Sequence, residues 1–220
     1  MTKERIPEKG EGIRGEEQVR RYDVMQRRRR DMGILGTDAI LEANINSGVA
    51  LEIGPGPGYL GLEWLSKTKN TKLNWLEISD DMMKIAQKNV KEYGFEDRVN
   101  WVISDATKSY PFADNCFDCA FSAGSLHEWQ NPVEVFNEVY RVLKSGGKLF
   151  ISDLKRNISS TIFEMMVRNV NMDEAAQYGL KSSIESAYLK DELMELLSSS
   201  VIKEFSVTEN PFGLAITANK

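Results

Sequence analysis

The sequence predicts a doubly wound α/β fold, a mostly parallel seven-stranded sheet finished by a terminal antiparallel hairpin strand. Two observations carry that prediction. From Val49 onward, apolar runs of strand length alternate with stretches whose apolar residues recur every three to four positions, the pattern of a parallel sheet wound by right-handed crossovers. The final two runs, Val201 to Thr208 and Leu214 to Thr217, are separated only by Glu209-Asn210-Pro211-Phe212-Gly213. That is too short for a parallel crossover, so those strands must be antiparallel neighbours.

The elements follow in order. Met1 to Gly15 mixes both charges with glycine and proline and reads as a flexible leader. Glu16 to about Met32 reads as a helix, and Thr37 to Ile45 as a second, capped by Thr37 or Asp38. Val49 to Ile53, Leu73 to Ile78, Val99 to Ser104, Phe117 to Ser122 and Lys148 to Ser152 are apolar on both faces, as strands buried in a parallel sheet must be. Between them, Met82/Met83, Ala86, Val90 and Tyr93 mark a helix capped by Asp80. Phe136, Val139/Tyr140 and Leu143 mark another, with Pro132 in its first turn and Gly146-Gly147 at its end. Leu189, Leu193 and Leu196/Leu197 mark the last helix. The organisation is residues 1–46 as leader and cleft-capping helices and 47–220 as one ligand-binding domain, with 155–188 a lid-like insertion.

Composition excludes several classes. With 220 residues, 41% hydrophobic and 28% charged, the chain has enough material for a sizeable core and is not disordered overall. A net charge of -5 argues against nucleic acid or an anionic membrane as partner. No apolar stretch reaches the length of a membrane span, and the charged start is not a secretory signal. Two cysteines, Cys116 and Cys119, cannot build a disulfide framework, which makes the cytoplasm the expected compartment.

The strongest local signal is Val49-Ala50-Leu51-Glu52-Ile53-Gly54-Pro55-Gly56-Pro57-Gly58-Tyr59-Leu60. A buried strand runs into three alternating glycines and then a helix. Glycine allows a tight turn and close approach to a ligand, and the helix start offers free N–H groups. This marks a nucleotide-type site, a purely structural turn being the plainer alternative. Read from Gly54, the dinucleotide pattern places Tyr59 where its third glycine belongs, and no Walker loop occurs. Glu52 within the strand end would repel a phosphate and attract an ammonium and a sulfonium. Glu77 ends the second strand and Asp105 follows the third, so three carboxylates reach the sheet's carboxyl edge, where ligands bind. An adenosine ligand with an amino-acid tail suits that set.

These stretches resemble the class I S-adenosylmethionine-dependent methyltransferases. The resemblance rests on the glycine turn, Leu76-Glu77-Ile78-Ser79, Ser104-Asp105-Ala106, Phe117 to Ser122, and Arg141-Val142-Leu143-Lys144-Ser145-Gly146-Gly147-Lys148-Leu149. Ser125-Leu126-His127-Glu128-Trp129 is similar to the small-molecule, ubiquinone/menaquinone-type branch. The resemblance implies a Rossmann-like methyltransferase fold, S-adenosyl-L-methionine as cofactor and a small-molecule methyl acceptor. By position, Gly54, Gly56 and Gly58 would wrap the methionine part, with Glu52 near its amino group. Glu77 would hold the ribose, Ile78 would pack on the adenine, Asp105 and Ala106 would meet the adenine edge, and Ser122 would line the methionine side.

Methyl transfer needs a base only if the acceptor carries a proton. His127, the one histidine, is a candidate base; a loop histidine that closes over the cofactor is the alternative. Asp153 is a second candidate, against the plainer reading of a loop acid. Cys116 and Cys119 leave a zinc site short of ligands, so no metal is expected. Tyr22 and Met25 on the first helix, and Met165 and Met166 in the insertion, are candidates to touch cofactor or substrate. Arg27 to Arg30 reads as a solvated helix face, with recognition of an acidic substrate the lesser alternative. Ser122-Ala123-Gly124-Ser125 lacks the Asn/Asp-Pro-Pro-aromatic pattern of base-amine methyltransferases, which again argues against nucleic acid. An NAD(P)-dependent oxidoreductase and a non-catalytic S-adenosylmethionine-binding sensor or scaffold are the alternatives to an enzyme of methyl transfer.

Overall fold

The apolar runs form seven strands: β1 (Val49–Ile53), β2 (Lys72–Glu77), β3 (Val99–Ile103), β4 (Phe117–Ala123), β5 (Leu143–Leu154), β6 (Phe205–Glu209) and β7 (Gly213–Asn219). A computed structural model describes residues 4–8 and 12–220; residues 1–3 and 9–11 of the expected leader lie outside the described residues. The helices are α1 (Glu16–Asp31), α2 (Thr37–Glu42), α3 (Tyr59–Lys67), α4 (Asp80–Tyr93), α5 (Pro132–Val142), α6 (Ser160–Asn169), α7 (Glu174–Ser186) and α8 (Lys190–Ser198). A single 3₁₀ turn, Leu126–Glu128, follows β4.

The strands form one sheet in the order β3-β2-β1-β4-β5-β7-β6. β1 pairs in parallel with both β2 and β4. β7 runs antiparallel to both β5 and β6, so the hairpin expected at the C-terminus places its second strand inside the sheet. Strand order reverses between β1 and β4, which puts a crevice at the carboxyl ends of those two strands. Side chains alternate across the sheet: Leu51 and Ile53 enter one apolar cluster with Val135, Phe136 and Leu149, while Ala50 enters the other with Leu62, Trp64, Trp75 and Phe121.

Several boundaries differ from the sequence reading, each for a physical reason. β3 is an edge strand, and Trp101 and Ile103 are exposed rather than buried on both faces. The helix of Phe136 and Val139 ends at Val142, not at the glycine pair. Gly146, with φ 76°, lies in a bulge of β5, where Phe117 pairs with Leu143 but Cys119 already pairs with Lys148. The Gly146 N–H donates to Lys220 O at 2.7 Å, which ties the bulge to the C-terminal residue. Ser79 caps α4, its Oγ accepting the Met82 N–H, and Asp80 is the first helical residue instead. α2 begins at Thr37 after a left-handed Gly36 and ends at Glu42, without a side-chain cap. Val201 to Glu204 precede β6 rather than belonging to it.

α1 complements its own dipole, with Glu16 and Glu17 in its first turn and Arg28, Arg29 and Arg30 in its last. Two of its arginines make specific contacts beyond the solvated face expected of them. Arg28 Nη1 donates to the Val170 and Asn171 carbonyls beyond α6, and Arg30 lies over the Tyr59 ring, 4.9 Å from its centroid. The helix is pinned by buried Asp23, whose Oδ1 accepts from Tyr59 Oη at 2.8 Å on α3 and from Asn89 Nδ2 at 3.5 Å on α4. The described leader residues are bound as well. Arg5 donates to the carbonyls of Ser186 and His127, Ile6 N donates to Glu185 O, and Ile13 O accepts from Ser79 Oγ at 2.6 Å.

Candidate functional site

The crevice is built around the glycine turn. Gly54, Gly56 and Gly58 all take the left-handed conformation, with φ of 64°, 56° and 84°, which only glycine adopts without strain. A side chain at Gly58 would enter the Trp75 indole at 2.6 Å, and one at Gly54 would meet Ser125 at 2.8 Å. At Gly56 the nearest neighbour is the Tyr22 ring of α1, at 3.5 Å. The turn thus packs tightly on two sides and meets Tyr22 on the third.

Glu77 faces the same turn from the end of β2. Its Oε2 accepts the Gly56 N–H at 3.0 Å, and its Oε1 accepts the N–H groups of Ile78 and Ser79 at 3.0 and 2.9 Å. Burial nonetheless dominates and raises its pKa above the usual carboxylate range, against the lowering by those three amides. A carboxylate offers about four acceptor sites, so one site of Oε2 remains for a hydroxyl. Ile78 is half-buried, with leader residue Gly12 against its side chain.

Glu52 is the penultimate residue of β1. It is 1% exposed, and its Oε2 accepts the Trp75 indole N–H at 2.6 Å. Burial pushes its pKa up to about 8, although Trp75 and the Gly61 N–H oppose that shift. It therefore braces the turn from beneath. Ser122 is likewise fully buried; its Oγ donates to Ile53 O and shares a 2.7 Å bond with Ser125 Oγ, clamping the ends of β1 and β4 together. Asp105 closes a local turn on Thr107, accepting both its N–H and its hydroxyl at 2.8 Å. Ala106 is half-buried against the core.

The opposite wall is the 3₁₀ turn. His127, buried, is held twice by Asp153 of β5. The Asp153 carboxylate accepts the His127 backbone N–H at 2.8 Å, and ring Nδ1 lies 2.9 and 3.0 Å from its two oxygens. Burial alone would lower the imidazole pKa, but Asp153, Glu128 and Glu8 outweigh it and push it up to about 9. Burial, with Glu8, Glu77 and Asp153 nearby, pushes Glu128 up to about 7 despite the opposing pull of His127. Tyr22 lies within electrostatic reach of both Glu77 and Glu128; burial is the largest cause of its rise to about 12. Tyr22, Gly56, Glu77 and Glu128 thus converge, and the fold brings His127 and Asp153 into contact across 26 residues of sequence. Met25, Met165 and Met166 are half-buried on α1 and α6. Cys119 is buried in β4 and Cys116 lies partly buried just before it.

Asp23, Glu8, Arg5 and Glu128 were not singled out by sequence reasoning. Only Glu128 carried a local signal, its place beside the single histidine.

The crevice fits S-adenosyl-L-methionine: a left-handed glycine turn with no room for a side chain at Gly54 or Gly58, beside a β2-terminal carboxylate with one acceptor site to spare. Comparison with known proteins agrees. Residues 51–151 match the methyltransferase-domain family. The chain is 29% identical over 75% of its length to a bifunctional biotin-biosynthesis protein of Teredinibacter turnerae, spanning 29% of that protein. It is 28% identical over 70% of its length to a demethylmenaquinone methyltransferase of Porphyromonas gingivalis, spanning 67% of it. A Methanococcus maripaludis structure assigned as an S-adenosyl-L-methionine-dependent methyltransferase superposes with a TM-score of 0.71 at 22% identity, covering 97% of each chain. Among the described residues no helix is long and apolar enough to cross a membrane.

Proposed function

We propose that this chain, whose residues 51–151 match the methyltransferase-domain family, uses S-adenosyl-L-methionine and moves its methyl group onto a small-molecule acceptor by in-line displacement. The observation that carries the reading is the convergence of the Gly54–Gly58 turn, Glu77 and Tyr22 at the point where strand order reverses. When bound, S-adenosyl-L-methionine supplies a methyl group already activated on a sulfonium.

The chain's own residues then have three tasks. Gly54, Gly56 and Gly58 give the cofactor a close-fitting backbone surface, and the spare acceptor site of Glu77 takes a ribose hydroxyl. Ile78, Asp105 and Ala106 border the adenine, while Glu52 and Ser122 keep the turn rigid from the core side. Tyr22, Met25 and the 155–188 insertion, with Met165 and Met166, exclude water from the acceptor side. His127 faces that side with its ring oriented by Asp153, so it can take the proton of an acceptor hydroxyl or amine. Its raised pKa means that this role is realised as pH rises toward 9. The names of the relatives, which include a demethylmenaquinone methyltransferase and a malonyl-acyl-carrier-protein O-methyltransferase, support a non-nucleic-acid acceptor without choosing its atom.

Calorimetric titration with S-adenosyl-L-methionine, S-adenosylhomocysteine and NADH tests the reading. The first two should bind the wild type, and Glu77→Ala should weaken them about 10-fold or more, as loss of a hydrogen bond to a charged group does. Binding of NADH alone, or binding untouched by Glu77→Ala, would overturn it.

A further inference from the structure

We propose that Glu8, His127 and Glu128 form a binding site for one divalent transition-metal cation at the acceptor end of the crevice. Each residue offers one ligand atom, and these atoms lie within 4.8 Å of one another. His127 Nε2 is 4.0 Å from Glu128 Oε1. Donors bound at about 2.1 Å in a tetrahedral site stand about 3.4 Å apart, so the site needs an inward shift of about an ångström. The two glutamates can supply it, since both are only partly buried.

A second observation points to a ligand independently of the two acids. The His127 side chain is 6% exposed, yet only one of its ring nitrogens is used. Nδ1 is engaged by both oxygens of Asp153, whereas Nε2 has no hydrogen-bond partner among the described residues, and Glu128 Oε1 stands 4.0 Å from it. A buried imidazole whose Nδ1 rests on a carboxylate presents the lone pair of Nε2 outward, the arrangement that orients metal-binding histidines. Glu8 is positioned too: Ser183 Oγ donates to its Oε1 at 3.1 Å, and Gln130 Nε2 donates to its carbonyl at 3.2 Å.

One imidazole and two carboxylates suit Zn²⁺, Mn²⁺ or Co²⁺ better than the all-oxygen cations. Three protein ligands leave coordination positions open. Glu128 also stands in electrostatic reach of Tyr22 and Glu77, so those positions border the cofactor crevice. An ionisable oxygen of the acceptor is the group they would take, a restriction on substrate class that rests on the methyl-transfer reading above. Cation and proton compete for the same Nε2 lone pair, so the proton-accepting role of His127 belongs to the cation-free chain. Local sequence pairs only His127 with Glu128; Glu8 comes from 119 residues earlier, so the third ligand is visible only in the fold.

The single histidine makes the test unambiguous. Full-length chain labelled with ¹⁵N-histidine and stripped with a chelator is titrated with Zn²⁺, followed by calorimetry and by the two imidazole nitrogen resonances. S-adenosylhomocysteine is titrated into the same samples. One Zn²⁺ should bind per chain and move Nε2, and Glu8→Gln and Glu128→Gln should each weaken binding at least 10-fold while leaving the circular dichroism spectrum unchanged. No uptake, uptake that leaves Nε2 unmoved, or uptake undiminished in both variants would overturn the proposal. Zn²⁺ binding in a chain that ignores S-adenosylhomocysteine would uphold the cation site and remove the methyl-transfer reading.

Discussion

Asp153 grips His127 at two points, the backbone N–H at 2.8 Å and ring Nδ1 at 2.9 Å. The carboxylate comes from β5 and the histidine from the 3₁₀ turn after β4. It therefore sets both the turn's position and the ring's orientation. Removing the charge while keeping the shape, as Asp153→Asn does, separates these effects. In chelator-treated protein, the His127 titration followed by NMR should lie near 9 in the wild type and fall in the variant. Because the folded-state value is raised, the stability this pair contributes is complete below the unfolded histidine value and is lost as pH rises through about 9. A titration midpoint that did not move would show that Asp153 does not govern the imidazole.

Glu52 gives a pH dependence of its own. Burial holds its carboxyl neutral in the folded chain up to about pH 8, whereas the unfolded chain ionises it in the ordinary carboxylate range. Stability from this residue is therefore complete at acid pH and declines as pH climbs from the unfolded value through 8. Glu52→Gln, which cannot ionise, should lose less stability over that interval, the difference amounting to a few kcal/mol at most. Urea denaturation of both proteins at pH 5 and pH 8 measures it. Parallel pH curves would refute the buried neutral carboxyl.

The three glycines of the turn should not respond alike. Alanine at Gly58 meets a left-handed φ of 84° and the Trp75 ring at 2.6 Å. Strain and overpacking together should cost roughly 2–4 kcal/mol. Alanine at Gly56 bears the backbone strain alone, roughly 1–2 kcal/mol, and points at Tyr22. Gly56→Ala should thus keep most of the thermal stability yet weaken S-adenosylhomocysteine binding. Equal losses of melting temperature in the two variants would contradict this division.

Asp23 is the hinge pin of α1. Asp23→Ala leaves the buried Tyr59 hydroxyl and the Asn89 amide without this acceptor and should cost roughly 1–3 kcal/mol. Tyr59→Phe removes only one bond and should cost about 1 kcal/mol. Because α1 carries Tyr22 into the crevice, hydrogen exchange should speed up along α1 in Asp23→Ala while β1 and β4 stay protected. Uniform exchange through the sheet would mean that α1 unfolds only with the whole domain.

The sequence by itself determined the sheet, its cofactor turn and the antiparallel ending. These follow from local rules: apolar runs of strand length, glycines where φ must be positive, and a connection too short to cross over. Tertiary structure decided how deep along the sheet each carboxyl lay. Parallel register sets Glu52 beside Trp75 and puts Glu77 two residues further along the same face, so Glu52 is bonded to Trp75 inside the core while Glu77, at the strand end, reaches Gly56. The same level decided that β3 is an edge and that Gly146 bulges a strand instead of ending a helix, since both depend on which strand lies alongside. The cluster of Glu8, His127 and Glu128 was beyond reach of any local pattern. Glu8 stands 119 residues before the adjacent His127 and Glu128, and leader hydrogen bonds, among them those to His127, Gln130 and Ser183, bring it to the turn.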